Sequence, residues 1–462
     1  MKHIYIFSTI ITLSYFLVGC NAGDVAQSQN NISNKNIIPI EEYDQVFSPN
    51  GPNIPLEELK SLKSKQILQS GKETQTYVRC YYIVNSDKPT DLTLTKAATD
   101  YVWAENTDGT DYKINGYWNK DGITAWANMF FTSVKLSEIQ QICDKTLSKT
   151  FSKEKHSFYQ ASATNRFSFN HTIWQNDDED KQSDSIANKI ISFGDSLTDT
   201  NNIYNATSWQ MPNNGSWFQG HFTNGYTWVE YLAQKLEIPV YNWAIGGAEG
   251  TKKYILLSGL NDQIQSWIDY MKSAKNYNIK RTLFTILVGG NDFINDNRNP
   301  EDVINDVKIA LNTLSNHGAK NILLLNLPGI TKAPIFHMCK NADEVLPKIL
   351  EYNNKLIILV NEFNKEHPQT NIMLFDTKNT LDKVLATPEI YGFYNTYDPC
   401  LDISVSGGAF DSAKYLLNYR ARKSCTDASK FVFWDTLHPT TATHSILAQD
   451  AFAFTTQNYR FY

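Results

Sequence analysis

No long stretch rich in lysine and arginine occurs in this chain. Its 42 basic residues are outnumbered by 48 acidic ones, for a formal net charge of −6. That balance excludes a surface built for nucleic acid. Beyond the N-terminus no apolar stretch is long enough to cross a bilayer. Cysteine is scarce. The six present, Cys20, Cys80, Cys143, Cys339, Cys400 and Cys425, lack zinc-type spacing, so neither a metal site nor a cofactor is expected. What remains is globular in kind, with 42% hydrophobic and 19% charged residues in 462, enough for one large domain and a smaller one. Aromatic residues make up 13%, which suits contact with lipid or carbohydrate and suits a β-rich core equally well.

The single long apolar run lies at the start. Lys2 and His3 precede Ile4 to Val18, and Gly19-Cys20 follow. The pattern predicts an export signal over 1–20, since its apolar core is short for a membrane span. "LVGC" at 17–20 resembles the lipobox of bacterial lipoproteins, which makes Cys20 the lipidated residue. An ordinary secretory signal with an incidental cysteine is the alternative, and both take the chain out of the cytoplasm. In an oxidising compartment the other five cysteines can pair. Sequence does not fix their connectivity. The expected pairs are Cys80 with Cys143 and Cys400 with Cys425, leaving Cys339 single.

Composition divides the rest. Residues 21–70 read as a polar tether with a short helical piece near 55–66. Residues 71–150 read as a small mixed, β-containing domain, in which "TYVRCYYIV" (76–84) is a strand and "VKLSEIQQICDKTL" (134–147) a helix. Its Tyr77, Tyr81, Trp103, Tyr117, Trp118 and Trp126 are expected in that domain's own core rather than on a lipid-facing patch. Residues 151–187, with "NDDEDKQSD", read as an acidic linker. From 188 to 462 apolar strands at 189–194, 238–244, 282–290, 321–327 and 371–376 alternate with helices near 226–236, 261–275, 301–316, 343–365 and 440–454. Short, wholly apolar strands with intervening helices predict an α/β domain with a parallel sheet covered on both faces. Such sheets bind ligands beyond the carboxyl ends of their strands.

The polar residues that need explaining lie at those ends. Ser196 follows the first strand in "IISFGDSLTDTNN", where a hydroxyl serves as a nucleophile once a base removes its proton, or simply caps a helix. The second strand ends in "NWAIGGAEG". Gly247 is the expected backbone donor there, and Gly246 the alternative. The third ends in "VGGNDF", where Asn291 offers an amide to the same crevice or closes a turn. With the Ser196 N–H these make three donors for a tetrahedral oxyanion. In "WDTLHPTTATHSILAQ" Asp435 stands three residues before His438, close enough on one turn for the carboxylate to fix the imidazole tautomer. His367 also precedes a proline but has Asn364 at that spacing, and is expected at the surface. His444 is expected as a satisfied residue of the last helix.

"FGDSLTD", "NWAIGGA", "GGND" and "DTLHP" resemble, in order, the four sequence blocks of the GDSL/SGNH hydrolases. "GHFTNGYTWVEYLA" (220–233) is similar to the segment after the first block in the lipase branch, and "TYVRCYYIV" to the thermolabile, lecithin-dependent haemolysin branch. The resemblance spans about residues 188–455. It implies a flavodoxin-like three-layer α/β/α sheet, with Ser196 as nucleophile, His438 as base, Asp435 orienting it and Gly247 and Asn291 completing the oxyanion site. Asp195 and Asp292 would hold the two turns. The expected activity is hydrolysis of lipid carboxylic esters through an acyl-serine, by a phospholipase A or lysophospholipase at a membrane surface, with possible transfer to an alcohol such as a sterol. A carbohydrate acetylesterase and an inactive lipid-binding lipoprotein are the alternatives. Thr198 stands where the G-x-S-x-G elbow of α/β-hydrolases needs a glycine, which excludes that fold.

Overall fold

The computed structural model describes residues 72–84, 101–119, 129–151, 156–163, 172–177, 186–207, 210–251, 258–338, 342–403 and 412–461. The expected signal with Cys20, the expected tether, Trp126 and Cys339 lie outside them.

The N-terminal unit is a mixed sheet of β1 (Thr74–Val84), β2 (Tyr101–Trp103), β3 (Lys113–Trp118), β4 (Phe130–Thr132), β5 (His156–Ala163) and β6 (Ile173–Gln175), with helix α1 (Leu136–Thr150). The long β1 carries β5 along one edge and β3, then β2, along the other, all antiparallel. Helix α1 buries Ile139, Cys143, Thr146 and Leu147, and a Cys80–Cys143 disulfide ties it to β1. Tyr77, Tyr81, Tyr117 and Trp118 are buried, and Trp103 is half-buried against the Arg79 guanidinium.

Residues 151–187, expected as a linker, instead contribute two strands to this sheet. Strand β5 pairs with β1 and β6 with β4. The linker reading rested on charge, yet Asp177, the first carboxylate of the acidic run, is buried in an ion pair with Lys189. Strand β6 is too short at three residues to show a pattern.

The second unit follows β7 (Ile186–Ala187) and holds five parallel strands, β8 (Lys189–Gly194), β9 (Val240–Asn242), β10 (Thr282–Leu287), β11 (Asn321–Leu325) and β12 (Asn371–Phe375), in the order β12-β11-β10-β8-β9. That is the flavodoxin-like order. Every residue of β8 and β10 is buried, as a sheet covered on both faces requires.

The helices are α2 (Asn202–Ala206), α3 (Trp228–Leu236), α4 (Leu260–Met271), α5 (Gly290–Asn295), α6 (Pro300–Asn316), α7 (Pro334–Met338), α8 (Ala342–Glu366), α9 (Thr377–Ala386) and α10 (Thr441–Asn458). Helices α4, α6 and α8 pack together as one layer, and α3, α9 and α10 as the other. A two-stranded ribbon of β13 (Asn395–Pro399) and β14 (Phe431–Phe433) delivers the chain to Asp435, and β15 (Arg460–Phe461) returns to pair with β7. A second disulfide joins Cys400 to Cys425 beside the ribbon.

Candidate active site

Strand β8 lies between β9 and β10, so the loops leaving these three strands are neighbours at one end of the sheet. Strand β8 ends at Gly194, whose φ is +153° and where a Cβ would strike the Leu287 carbonyl. The chain then turns tightly. Asp195 accepts the Leu197 N–H on its side chain and the Thr198 and Asp199 N–H groups on its carbonyl, leaving Ser196 at the tip.

Ser196 Oγ is 2.8 Å from His438 Nε2, across 242 residues of sequence. The other ring nitrogen, Nδ1, lies 2.9 and 3.0 Å from the two Asp435 oxygens. A nitrogen facing a carboxylate carries the proton, so Nε2 is left as the acceptor for the serine hydroxyl. All three residues are buried. Asp435 also accepts the Leu437 and His438 N–H groups, both at 2.8 Å, and the Trp217 indole N–H at 3.0 Å. Burial pushes its carboxyl up, but the His438 ring, the hydrogen bonds and Lys414 outweigh that and hold it down at about 2. It is therefore a fixed anion.

The oxyanion candidates occupy the two flanking loops. Gly246, the alternative donor, spends its N–H on Asp199 Oδ2 at 2.7 Å. Gly247, at φ +82°, has no partner for its N–H among the described residues, and neither does Ser196. Asn291 sits in the first turn of α5 and donates one amide hydrogen to the Ala248 carbonyl at 2.9 Å, leaving the second for a ligand. That bond joins the loop after β10 to the loop after β9.

Two further residues build this scaffold, Asp199 after the first strand and Trp217. Asp199 is wholly buried and accepts four backbone N–H groups, from Asn201, Asn202, Ile203 and Gly246, which locks the glycine turn to the start of α2. Burial raises its carboxyl to about 6. An acidic residue before a helix was the available signal. Trp217 meets Asp435 across 218 residues, and nothing local announces such a pair. Asp195 and Asp292 do hold turns. Asp292 pairs with Arg298 and accepts the Gly250 N–H at 3.2 Å. His444, in α10, accepts the Trp228 N–H at 3.2 Å. His367 is half-buried and stacks on Phe363 beyond α8, at the opposite end of the sheet.

Among the described residues no cluster of His, Cys, Asp and Glu has the form of a metal site. A parallel flavodoxin-like sheet that brings a serine, an imidazole and a buried carboxylate into one hydrogen-bonded chain beyond its strand ends defines a serine hydrolase. Sequence comparison is more specific. The chain belongs to the family described as GDSL-like lipase/acylhydrolase, matched over residues 190–451, and residues 46–176 match the Vibrio dual lipase/transferase N-terminal domain. It is 43% identical over 390 residues to a thermolabile hemolysin of Vibrio parahaemolyticus, an alignment covering 84% of this chain and 89% of the relative. It is 24% identical over 314 residues to a phosphatidylcholine-sterol acyltransferase of Aeromonas hydrophila, covering 59% and 91%. The protein is an esterase of the lipase type.

Proposed function

We propose that the protein cleaves ester-linked acyl chains of phospholipids through an acyl-serine at Ser196 and passes the acyl group to water or to an alcohol such as a sterol. His438 takes the hydroxyl proton through Nε2 as Oγ attacks the ester carbonyl. Asp435 holds the imidazolium that forms. The carbonyl oxygen becomes an oxyanion facing the Ser196 and Gly247 N–H groups and the Asn291 amide. Collapse expels the lysolipid alcohol, which receives the proton from His438. A second alcohol or water, deprotonated by the same imidazole, then releases the acyl group.

The observation that carries the reading is the continuous chain Ser196–His438–Asp435, with contacts of 2.8 and 2.9 Å. The phospholipid and sterol are supported by the names of the relatives, a phosphatidylcholine-sterol acyltransferase among them. Two disulfides support export to an oxidising compartment, and the lipobox-like LVGC at 17–20 makes Cys20 the proposed lipid anchor. Palmitate labelling that survives in a Cys20→Ala variant would remove the anchor from this proposal.

The test is product analysis on phosphatidylcholine vesicles with and without cholesterol. Fatty acid should appear in both, and cholesteryl ester only with the sterol. Ser196→Ala should abolish both products without moving Tm. Substantial turnover by that variant would refute the mechanism.

A further inference from the structure

The candidate catalytic residues are braced by one short segment, residues 217–223. Its Trp217 donates to Asp435. The Phe222 ring lies against the His438 ring, centroids 5.0 Å apart, and Thr223 Oγ1 donates to the Pro439 carbonyl at 2.8 Å. Phe222 also shapes the oxyanion side, since a Cβ on Gly246 would come within 2.3 Å of its ring. The segment thus touches the acid, the base and the glycine turn.

Its anchor is His221, wholly buried. Nδ1 faces the Gln219 carbonyl at 3.0 Å and Nε2 faces Glu230 Oε2 at 2.9 Å. Both nitrogens meet acceptors, so both carry protons and the ring is a cation. Glu230, in the first turn of α3, also accepts the Thr227 N–H and hydroxyl. Its remaining oxygen, Oε1, accepts a hydrogen bond of 3.0 Å from the Tyr159 hydroxyl, and that hydroxyl lies 3.2 Å from His221 Nε2. Tyr159 belongs to β5 of the N-terminal sheet, and its ring packs against Phe218 and Tyr226.

We infer that Tyr159 is a positioning residue for the esterase: through Glu230 and His221 the N-terminal sheet fixes the 217–223 segment, and with it the orientation of His438 and the Gly246–Gly247 turn. This rests on the acyl-serine reading and gives the N-terminal unit a part in it. The hydroxyl completes the set of donors around a partly buried carboxylate. Without it Glu230 and His221 can shift together, and Phe222 moves with them. A displacement of about 1 Å at a reacting group can cost ~10²-fold in rate.

The experiment uses the full chain and two variants, Tyr159→Phe and Phe222→Leu, singly and combined. The readouts are kcat and KM on a small water-soluble ester and the rate of labelling by diisopropyl fluorophosphate, which Ser196 Oγ attacks with loss of fluoride. Tyr159→Phe should lower kcat and the labelling rate about tenfold with KM unchanged, a fraction of the loss for a full displacement. The double variant should lose less than the product of the single losses, because both act through one segment. Tyr112→Phe, which removes a hydroxyl bonded to Glu138 elsewhere in the N-terminal unit, should leave both rates unchanged. A Tyr159→Phe enzyme with a lowered Tm but unaltered kcat and labelling rate would overturn the inference, as would losses that multiply independently. If the unaltered protein does not label at Ser196, the acyl-serine reading fails first and this inference with it.

Discussion

Three aspartates near Ser196 show how neighbouring groups set the state of one side chain. Asp435 faces an imidazole and an indole N–H and stays ionised down to about 2. Asp199 faces four backbone N–H groups, yet burial still lifts it to about 6. Asp195 has one side-chain donor, the Leu197 N–H, and burial together with the charges of Asp292 and Asp199 raises it to about 7. A carboxyl that binds its proton more tightly in the folded state than in the unfolded chain stabilises the fold when protonated. That contribution is present in mild acid and fades as pH rises through the folded value. For Asp195 the window runs from its ordinary 3.8 to about 7. Asp195→Asn keeps the acceptor for Leu197 and removes the titration. The variant's Tm should therefore fall less than the parent's between pH 5 and pH 8. Parallel Tm–pH curves for the two proteins would show that Asp195 is ionised throughout, its hydrogen bonds outweighing its burial.

At the scale of elements, burial decides what a sequence discloses. Strands β8, β10 and β11 are buried almost throughout and were legible as apolar runs at nearly their true bounds. Strand β10 stops at Leu287, short of the expected 290, because Gly289 turns the chain at φ +118° into α5. Helix α9 escaped notice because its buried face is Thr377, Thr380 and Val384, a helical spacing carried mostly by threonines. Strand β13 is polar and partly exposed, so it has no apolar signature.

The site follows the same logic. Ser196, Gly247 and Asn291 stand where legible strands end, and Asp435 and His438 just before a legible helix, whereas Phe222 acts through contacts with residues far off in sequence. Gly246 was legible only as one of a glycine pair. Its need is steric, because the Phe222 ring occupies the place of a side chain. Gly246→Ala should push the turn away from Phe222 and displace the Gly247 N–H, with a loss in kcat approaching the ~10²–10³ of a removed oxyanion donor. Turnover of a soluble ester measures it. Full activity in that variant would mean that Gly247 does not serve as a donor, or that Phe222 yields at no cost.

Across the whole molecule the two sheets share one core. Tyr117, Met129, Phe131 and Trp174 of the N-terminal unit pack in the same hydrophobic cluster as β8, β10 and α4. Within this seam lies the buried Asp177–Lys189 ion pair, one partner following β6 and the other opening β8. Asp177 also accepts the Asn278 N–H at 2.8 Å and an Asn188 amide hydrogen at 3.1 Å. Burial drives Lys189 towards its neutral form and Asp177 opposes it. Removing one partner of such a pair strands the other, at a cost of about 3–5 kcal/mol, whereas replacing both can be nearly neutral. Asp177→Asn should therefore destabilise the protein by that order, and adding Lys189→Met should recover much of the loss. Because the pair joins two sheets on one core, urea unfolding should stay a single transition in all three proteins, coincident by tryptophan fluorescence and far-ultraviolet circular dichroism. Two separated transitions in the Asp177→Asn variant would show that the seam couples the sheets less than their common core implies. The N-terminal unit would then unfold alone, taking with it the Tyr159 hydrogen bond that holds Glu230 and His221 behind the catalytic imidazole.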